Sequence, residues 1–154
     1  MSTALTGVTQ IGVDTAPLIY FVEKHPTYFD RVAAIFKLIS EGAISGVSVM
    51  LTLTEVLSQP MKLGNGKLVA DYEDILTNSP GFRLLPIDAA TARLAADLRA
   101  RYNLKTPDAL HMATALQSRC EAFLTNDLGI KRVTELRVLV LDELELDPPP
   151  TPTT

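Results

Sequence analysis

The stretch TPDALHMATALQSRCEAFLTND, residues 106–127, decides the fold class. Its first half has apolar residues at helical spacing, which predicts a helix. Thr106 is the predicted N-cap of this helix, and Pro107 is its predicted first residue. Its second half contains AFLT, residues 122–125, a short apolar run that is typical of a buried strand. A helix that leads directly into a buried strand is the repeating unit of a parallel α/β sheet.

The same alternation of strand and helix patterns runs along the rest of the chain. Further strands are predicted over residues 10–14, 43–49, 82–87 and 136–141. Further helices are predicted over residues 15–25, 27–42, 51–59, 66–78 and 88–103, and Pro60 is expected to end or kink the third of these. We therefore predict one α/β domain over residues 8–142. Residues 143–154 are acidic and then proline-rich, and we expect this tail to end in disorder.

Composition limits the classes of function. Hydrophobic residues make up 47% of the 154 residues, too many for a disordered chain, yet no apolar run is long enough to span a membrane. The first residues lack the features of a secretory signal, so we expect a cytoplasmic protein. The single cysteine excludes a cysteine metal cluster. A net charge of −4 argues against a broad basic face for nucleic acid, although metal ions could supply positive charge locally.

Four carboxylates interrupt apolar sequence where strands end or helices begin: Asp14, Glu55, Asp108 and Asp127. Asp14 closes the first predicted strand and Asp127 follows the fourth. Glu55 and Asp108 lie in the first turns of helices, from which they can reach the same edge of the sheet. Because ligands of open parallel sheets bind beyond the carboxyl ends of the strands, we expect the four acids to meet there.

Carboxylates that converge in one site repel one another, and a divalent cation relieves that repulsion. Oxygen-only ligands favour Mg²⁺ or Mn²⁺ over Zn²⁺. Such an ion lowers the pKa of a bound water and suits phosphodiester hydrolysis. Each acid also has a structural interpretation: Asp14 could cap the next helix, Asp108 could complement a helix dipole, Asp127 could be a turn residue and Glu55 a surface residue.

The segments VDTAPLIYF, LTLTEVL, TPDALHMATAL and FLTNDLGIKRV, in this order, resemble the PIN-domain nucleases, and among them the VapC-like toxins of toxin–antitoxin pairs. The resemblance covers residues 13–133. It implies a three-layer α/β/α sandwich with a mostly parallel central sheet and an acidic pocket that holds Mg²⁺ or Mn²⁺. Carried over by position, Asp14, Glu55, Asp108 and Asp127 are the catalytic and metal-binding acids.

Three further residues are expected to support this pocket. Thr125 matches a hydroxyl position of the family, and Thr15 would contribute its backbone N–H or its hydroxyl. His111 shares a helix face with Asp108, so it could contact substrate or orient the acid. Its apolar neighbours favour a supporting role.

The resemblance implies a metal-dependent endoribonuclease, the toxin of a toxin–antitoxin pair. An RNA substrate, a cognate antitoxin that inhibits the enzyme and a homodimer are the expected partners, and no membrane is involved. The apolar residues of segments 27–39 and 69–78 are candidate protein contacts or core helices. A non-catalytic PIN-like module that binds RNA or protein is the alternative function. A phosphatase of the haloacid dehalogenase type is disfavoured, because that chemistry needs a second aspartate where Ala16 stands.

Overall fold

A computed structural model describes residues 3–148 and residue 152, and its centre is one sheet of five parallel strands. The strands lie in the order β3-β2-β1-β4-β5, with β1 in the middle. Their bounds are Gln10–Val13 for β1, Ser45–Val49 for β2, Phe82–Leu85 for β3, Ala122–Thr125 for β4 and Arg137–Val140 for β5. All four pairings are parallel, which confirms the predicted α/β class.

Six α-helices cover the two faces of this sheet. They are α1 (Thr15–Val22), α2 (Phe29–Ser40), α3 (Leu51–Lys62), α4 (Gly66–Asn78), α5 (Ala89–Tyr102) and α6 (Thr106–Gln117). Two short 3₁₀ helices, η1 (Leu128–Arg132) and η2 (Leu141–Glu143), follow β4 and β5. In the part of the chain that the structure describes, no helix is both long enough and apolar enough to cross a membrane.

Alternate residues of the strands face opposite sides of the sheet, and each side has its own hydrophobic core. In β4, Ala122 and Leu124 join the core beneath α1–α4, whereas Phe123 joins the core beneath α5 and α6. In β1, Ile11 and Val13 point into the first of these cores. The result is the three-layer sandwich that the resemblance implied.

Gly12 lets α6 approach the middle of the sheet closely. A Cβ atom at this position would lie 2.7 Å from Ala115 Cβ and 2.9 Å from Phe123 Cδ2, closer than side chains tolerate. The absence of a side chain at Gly12 therefore fixes the distance between β1 and α6, the helix that carries Asp108 and His111.

Two predicted helix boundaries differ from the structure: Pro60 does not end α3, and Thr106 is not the N-cap of α6. α3 continues through Pro60 to Lys62, because a proline in the last turn removes only one intrahelical hydrogen bond and Pro60 itself is buried. The N-cap of α6 is Lys105 rather than Thr106, and no side chain caps the helix there, so Thr106 is already its first residue.

The candidate contact segments contribute residues to the core, and so does one residue at the start of the tail. Val32, Ile35, Phe36 and Ile39 of α2, and Tyr72 and Leu76 of α4, are buried, so the core interpretation of these segments holds. In the tail, Leu144 is buried in the same core. The expected disorder of the last residues falls, except for Pro152, outside the described residues.

Candidate active site

The four predicted acids meet at the carboxyl edge of the central strands. Asp14 follows β1, and Asp127 comes two residues after β4, the neighbour of β1 in the sheet. Asp108 lies in the first turn of α6. Glu55 lies in the second turn of α3, which follows β2 on the other side of β1.

A network of hydrogen bonds through Thr125 joins Asp14 to Asp127. The Thr125 hydroxyl donates to Asp14 Oδ2 at 2.7 Å and accepts the Asp127 backbone N–H at 3.1 Å. The Thr15 backbone N–H donates to Asp14 Oδ1 at 2.8 Å, so Asp14 also caps α1. Capping and membership of the acidic cluster are therefore compatible for this residue.

Asp127 is likewise both a structural residue and a member of the cluster. Its Oδ1 accepts the Gly129 backbone N–H at 2.8 Å and caps η1. Gly129 is not among the residues predicted from the sequence, although the spacing Asp-Leu-Gly is a signal for a turn closed by an aspartate side chain.

On the α3 side of the cluster, three side chains form a closed triangle. Thr15 Oγ1 donates to Glu55 Oε1 at 2.9 Å and lies 3.0 Å from His111 Nε2. His111 Nε2 lies 3.0 Å from Glu55 Oε1 and 3.7 Å from Asp14 Oδ1. His111 is only 3% exposed. It therefore contacts Glu55 and Thr15 from within the protein.

The triangle assigns one proton to His111 Nε2. A carboxylate only accepts hydrogen bonds, and the single Thr15 hydroxyl hydrogen is directed to Glu55, so Nε2 must be the donor towards the same oxygen. His111 Nδ1 is buried without a partner among the described residues. The hydrogen bond from His111, together with that from Thr15, lowers the pKa of Glu55 despite its partial burial. Glu55 is thus held as a carboxylate.

Asp108 has the opposite electrostatic situation. Burial raises the pKa of its carboxyl group, and the nearby charges of Asp14 and Asp127 raise it further. Among the described residues, no side chain or backbone group donates a hydrogen bond to Asp108. Its negative charge is consequently the least compensated in the cluster.

The side chains that line this edge are hard oxygen donors, with one imidazole behind them. Within the described residues, no group of three or more His, Cys, Asp or Glu side chains is arranged to hold a metal ion together. The charges of Asp14 and Asp127 act on Asp108, but the acids do not form a closed cage in the described part of the chain.

Comparison with solved structures gives proteins of the same fold. The chain is similar to VapBC2 from Rickettsia felis bound to a DNA fragment from the promoter (17% identity, TM-score 0.69, covering 85% of this chain and 98% of that chain). It is similar to FitAcB from Neisseria gonorrhoeae (25% identity, TM-score 0.64, covering 88% of this chain and 99% of that chain). It is also similar to VapC20 of Mycobacterium tuberculosis, described as a sarcin–ricin loop cleaving toxin (14% identity, TM-score 0.64, covering 82% of this chain and 98% of that chain).

Comparison of sequences gives the family directly. No similar sequence was found among curated proteins. The family model of the PIN domain matches residues 11–136, which include β1 except for its first residue and all of β2, β3 and β4, and end directly before β5. This match contains Asp14, Glu55, Asp108 and Asp127 in one continuous span. The chain therefore belongs to the PIN-domain family.

Proposed function

We propose that this protein is an endoribonuclease that depends on Mg²⁺ or Mn²⁺ and acts as the toxin of a toxin–antitoxin pair. The observation that carries the proposal is the poorly compensated charge of Asp108 beside Asp14 and Asp127. Three carboxylates that are brought together from distant parts of the chain at the ligand-binding edge of a parallel sheet are costly unless a cation binds there.

The donor set fits a hydrated hard cation. Mg²⁺ keeps several of its waters in most protein sites and binds one or two carboxylates directly, so a closed cage of three acids is not needed. Each oxygen of Asp14 accepts one hydrogen bond and retains a further lone pair. Asp14, Asp108 and Asp127 are the residues that would hold the ion, with Glu55 at the edge of the site.

When bound, the ion would lower the pKa of a water and offset negative charge on the phosphate. The protein's own residues orient the site. Thr125 fixes the rotamer of Asp14 and the backbone of Asp127, and the Thr15–Glu55–His111 triangle holds Glu55 as a carboxylate on the opposite side. Glu55 Oε2 is available to accept a proton or a hydrogen bond from water near the phosphodiester.

An antitoxin partner is supported by the solved relatives, which include a toxin–antitoxin complex from Klebsiella pneumoniae at a TM-score of 0.63. Next to Glu55, a cavity of about 150 Å³ opens between α1, α3 and α4. Its walls include Ile19, Val56 and Leu68, so it suits an apolar side chain of a protein partner. A basic residue of the same partner could neutralise the acids. The protein is also proposed to form a homodimer.

The test is cleavage of end-labelled single-stranded and hairpin RNAs in Mg²⁺, in Mn²⁺ and in EDTA. Asp14→Asn is compared with the wild type, and Asp97→Asn, which removes a carboxylate from the exposed face of α5, is the matched control. Metal-dependent cleavage that is lost only in Asp14→Asn supports the proposal. Cleavage that persists in EDTA or in Asp14→Asn contradicts it.

The alternative of a non-catalytic binding module makes a different prediction in the same samples. A module of that kind would bind RNA without cleaving it in any metal, and calorimetry would detect no heat of Mg²⁺ or Mn²⁺ binding that depends on Asp14. Metal binding that disappears in Asp14→Asn would separate a nuclease of narrow specificity from the binding module.

A further inference from the structure

Two adjacent cations after the last acid of the site have different surroundings. Lys131 Nζ donates to Glu143 Oε2 at 2.8 Å, so its charge is neutralised by the segment after β5. Arg132, the next residue, has no carboxylate within ion-pair distance among residues 3–148. The charge of Arg132 is therefore available for a ligand, whereas that of Lys131 is not.

Arg132 is held on the loop that carries Asp127. Its Nε–H donates to the Gly129 backbone oxygen at 2.7 Å, and the Gly129 backbone N–H donates to Asp127 Oδ1 at 2.8 Å. A single residue, Gly129, thus links the guanidinium group to the carboxylate. The remaining four N–H donors of Arg132 make no hydrogen bond within the described part of the protein.

The segment that carries Lys105 lies next to the segment that carries Arg132. The residue before Lys105, Leu104, and the residue after Arg132, Val133, are buried in the same hydrophobic core. Next to them, Tyr102 Oη lies 3.3 Å from Thr134 Oγ1, which joins the end of α5 to the segment after η1. The chain segments that carry Lys105 and Arg132 are consequently neighbours.

Lys105 is exposed and close to the acids. Lys105 is the N-cap of α6, and Asp108 lies three residues later in the first turn of the same helix. No carboxylate in residues 3–148 forms an ion pair with it. Lys105 and Arg132 together form what we call the cationic strip, a pair of unneutralised positive charges beside Asp108 and Asp127.

We propose that the cationic strip binds the RNA phosphate next to the one that is cleaved. This inference rests on the proposed function and extends it from the reacting phosphate to the adjacent part of the strand. In a chain with a net charge of −4, long-range attraction of RNA is weak, so a few local cations must provide the contacts to the backbone. The planar guanidinium of Arg132, with four free donors, is suited to contact phosphate oxygens.

An RNA ligand is favoured over an acidic protein segment by the position of the strip. Its two charges lie on the segments that carry Asp108 and Asp127, where the phosphodiester is proposed to react, and a nucleic acid strand carries a further phosphate next to the reacting one. The strip does not border the apolar cavity beside Glu55, whose walls belong to α1, α3 and α4.

The experiment is the salt dependence of RNA binding, measured by fluorescence anisotropy of a short labelled single-stranded RNA in Mg²⁺. The variants are Arg132→Gln and Lys105→Gln, and Lys131→Gln is the control because it removes the same charge from an ion pair. Each lost phosphate contact should reduce the slope of log K against log salt by about 0.7. We expect this reduction in Arg132→Gln and Lys105→Gln, an unchanged slope in Lys131→Gln, and unchanged thermal unfolding in all three.

The same samples, run on a gel, report cleavage separately. A slope that is equal in all four proteins, or absence of binding by the wild type at low salt, overturns the cationic strip whether or not the gel shows cleavage. Absence of metal-dependent cleavage of any RNA tested bears on the proposed nuclease instead. Arg132→Lys is a further check, because it keeps the positive charge but loses the planar guanidinium contact with phosphate oxygens. This variant should show the wild-type slope of log K against log salt, with weaker binding.

Discussion

Thr125 Oγ1 lies 2.7 Å from Asp14 Oδ2, so a hydroxyl at the end of β4 holds the carboxylate that follows β1. The same oxygen accepts the backbone N–H of Asp127. One buried side chain therefore sets the relative positions of two acids that are far apart in the sequence, and its removal is the most direct test of how the site is organised.

In Thr125→Val, the shape of the side chain is kept and the hydroxyl is lost. We expect metal affinity and cleavage to fall by about 10–100-fold, as for other residues that orient metal ligands. The free energy of unfolding should fall by about 1–3 kcal/mol because the buried carboxylate of Asp14 loses a hydrogen-bond donor. Calorimetry and urea unfolding measure the two effects. Thr125→Ser should recover most of both, and a Thr125→Val protein with wild-type metal affinity would contradict this role.

His111 should control the pKa of Glu55. The hydrogen bond from His111 is the largest cause of the lowered pKa, so stability from this pair is present above the unfolded-state pKa of Glu55 and is lost as the pH falls through the folded-state value. In His111→Leu, the pKa of Glu55 should rise and the loss of stability should be greater at neutral than at acidic pH.

Nuclear magnetic resonance titration of Glu55 and urea unfolding at several pH values test this prediction. His25→Leu is the control, because His25 accepts hydrogen bonds from the backbone of residues 27 and 28 outside the acidic cluster. An unchanged titration of Glu55 in His111→Leu would show that the triangle does not set its charge.

Asp108 should oppose folding in the absence of metal. Its pKa is raised in the folded protein, so the folded state binds more protons than the unfolded state, and stability falls as the pH rises through this range. Asp108→Asn should remove that dependence. At neutral pH in EDTA it should raise Tm by about 2 °C, the shift expected for about 0.5–1 kcal/mol in a domain of this size.

The same substitution should abolish cleavage and the stabilisation by Mg²⁺. A ligand that binds only the folded state raises Tm with concentration, so Mg²⁺ should raise the Tm of the wild type but not that of Asp108→Asn. Asp97→Asn, on the exposed face of α5, should respond to Mg²⁺ like the wild type. A lower Tm for Asp108→Asn in EDTA would contradict the uncompensated charge.

Gly12→Ala should displace α6 from the sheet. The added methyl group would meet Ala115 and Phe123, neither of which can move far in a packed core, so we expect a loss of about 1–3 kcal/mol in the free energy of unfolding. Cleavage should fall as well, because α6 carries Asp108. Gly66→Ala is the matched control: nothing lies within 4 Å of its added methyl group, and a gain of about 0.4–1 kcal/mol is expected.

The alternation of apolar strands and amphipathic helices was sufficient to predict the sheet and the edge at which the acids meet. The common location of the acids could be predicted because parallel strands place their carboxyl ends at the same edge of the sheet, whatever the packing. The hydrogen bonds between the side chains at this edge could not be predicted. Whether His111 points to Glu55 or to solvent depends on how closely α6 approaches β1, and that distance is set by Gly12, whose packing partners are more than 100 residues away.

Pro60 and Thr106 illustrate the local limits of prediction. In a sequence, a proline indicates the end of a helix. In the last turn of α3, however, the lost hydrogen bond costs little free energy, and Pro60 is buried. Thr106 has the right chemistry for an N-cap, yet the helix starts one residue earlier and Lys105 takes that position without a side-chain hydrogen bond.

The pairing of β1 with β4 has a consequence for the time at which the acidic cluster assembles during synthesis of the protein. Thr125 is 111 residues away from Asp14, and β4 is the fourth of the five strands to be made. Until β4 and the following loop have left the ribosome, Asp14 has neither the Thr125 hydroxyl nor Asp127 beside it. Incomplete chains that end before this point lack Asp127 and the Thr125 hydroxyl, so a ribosome that makes the protein carries no assembled site until residues 122–127 have been made and released.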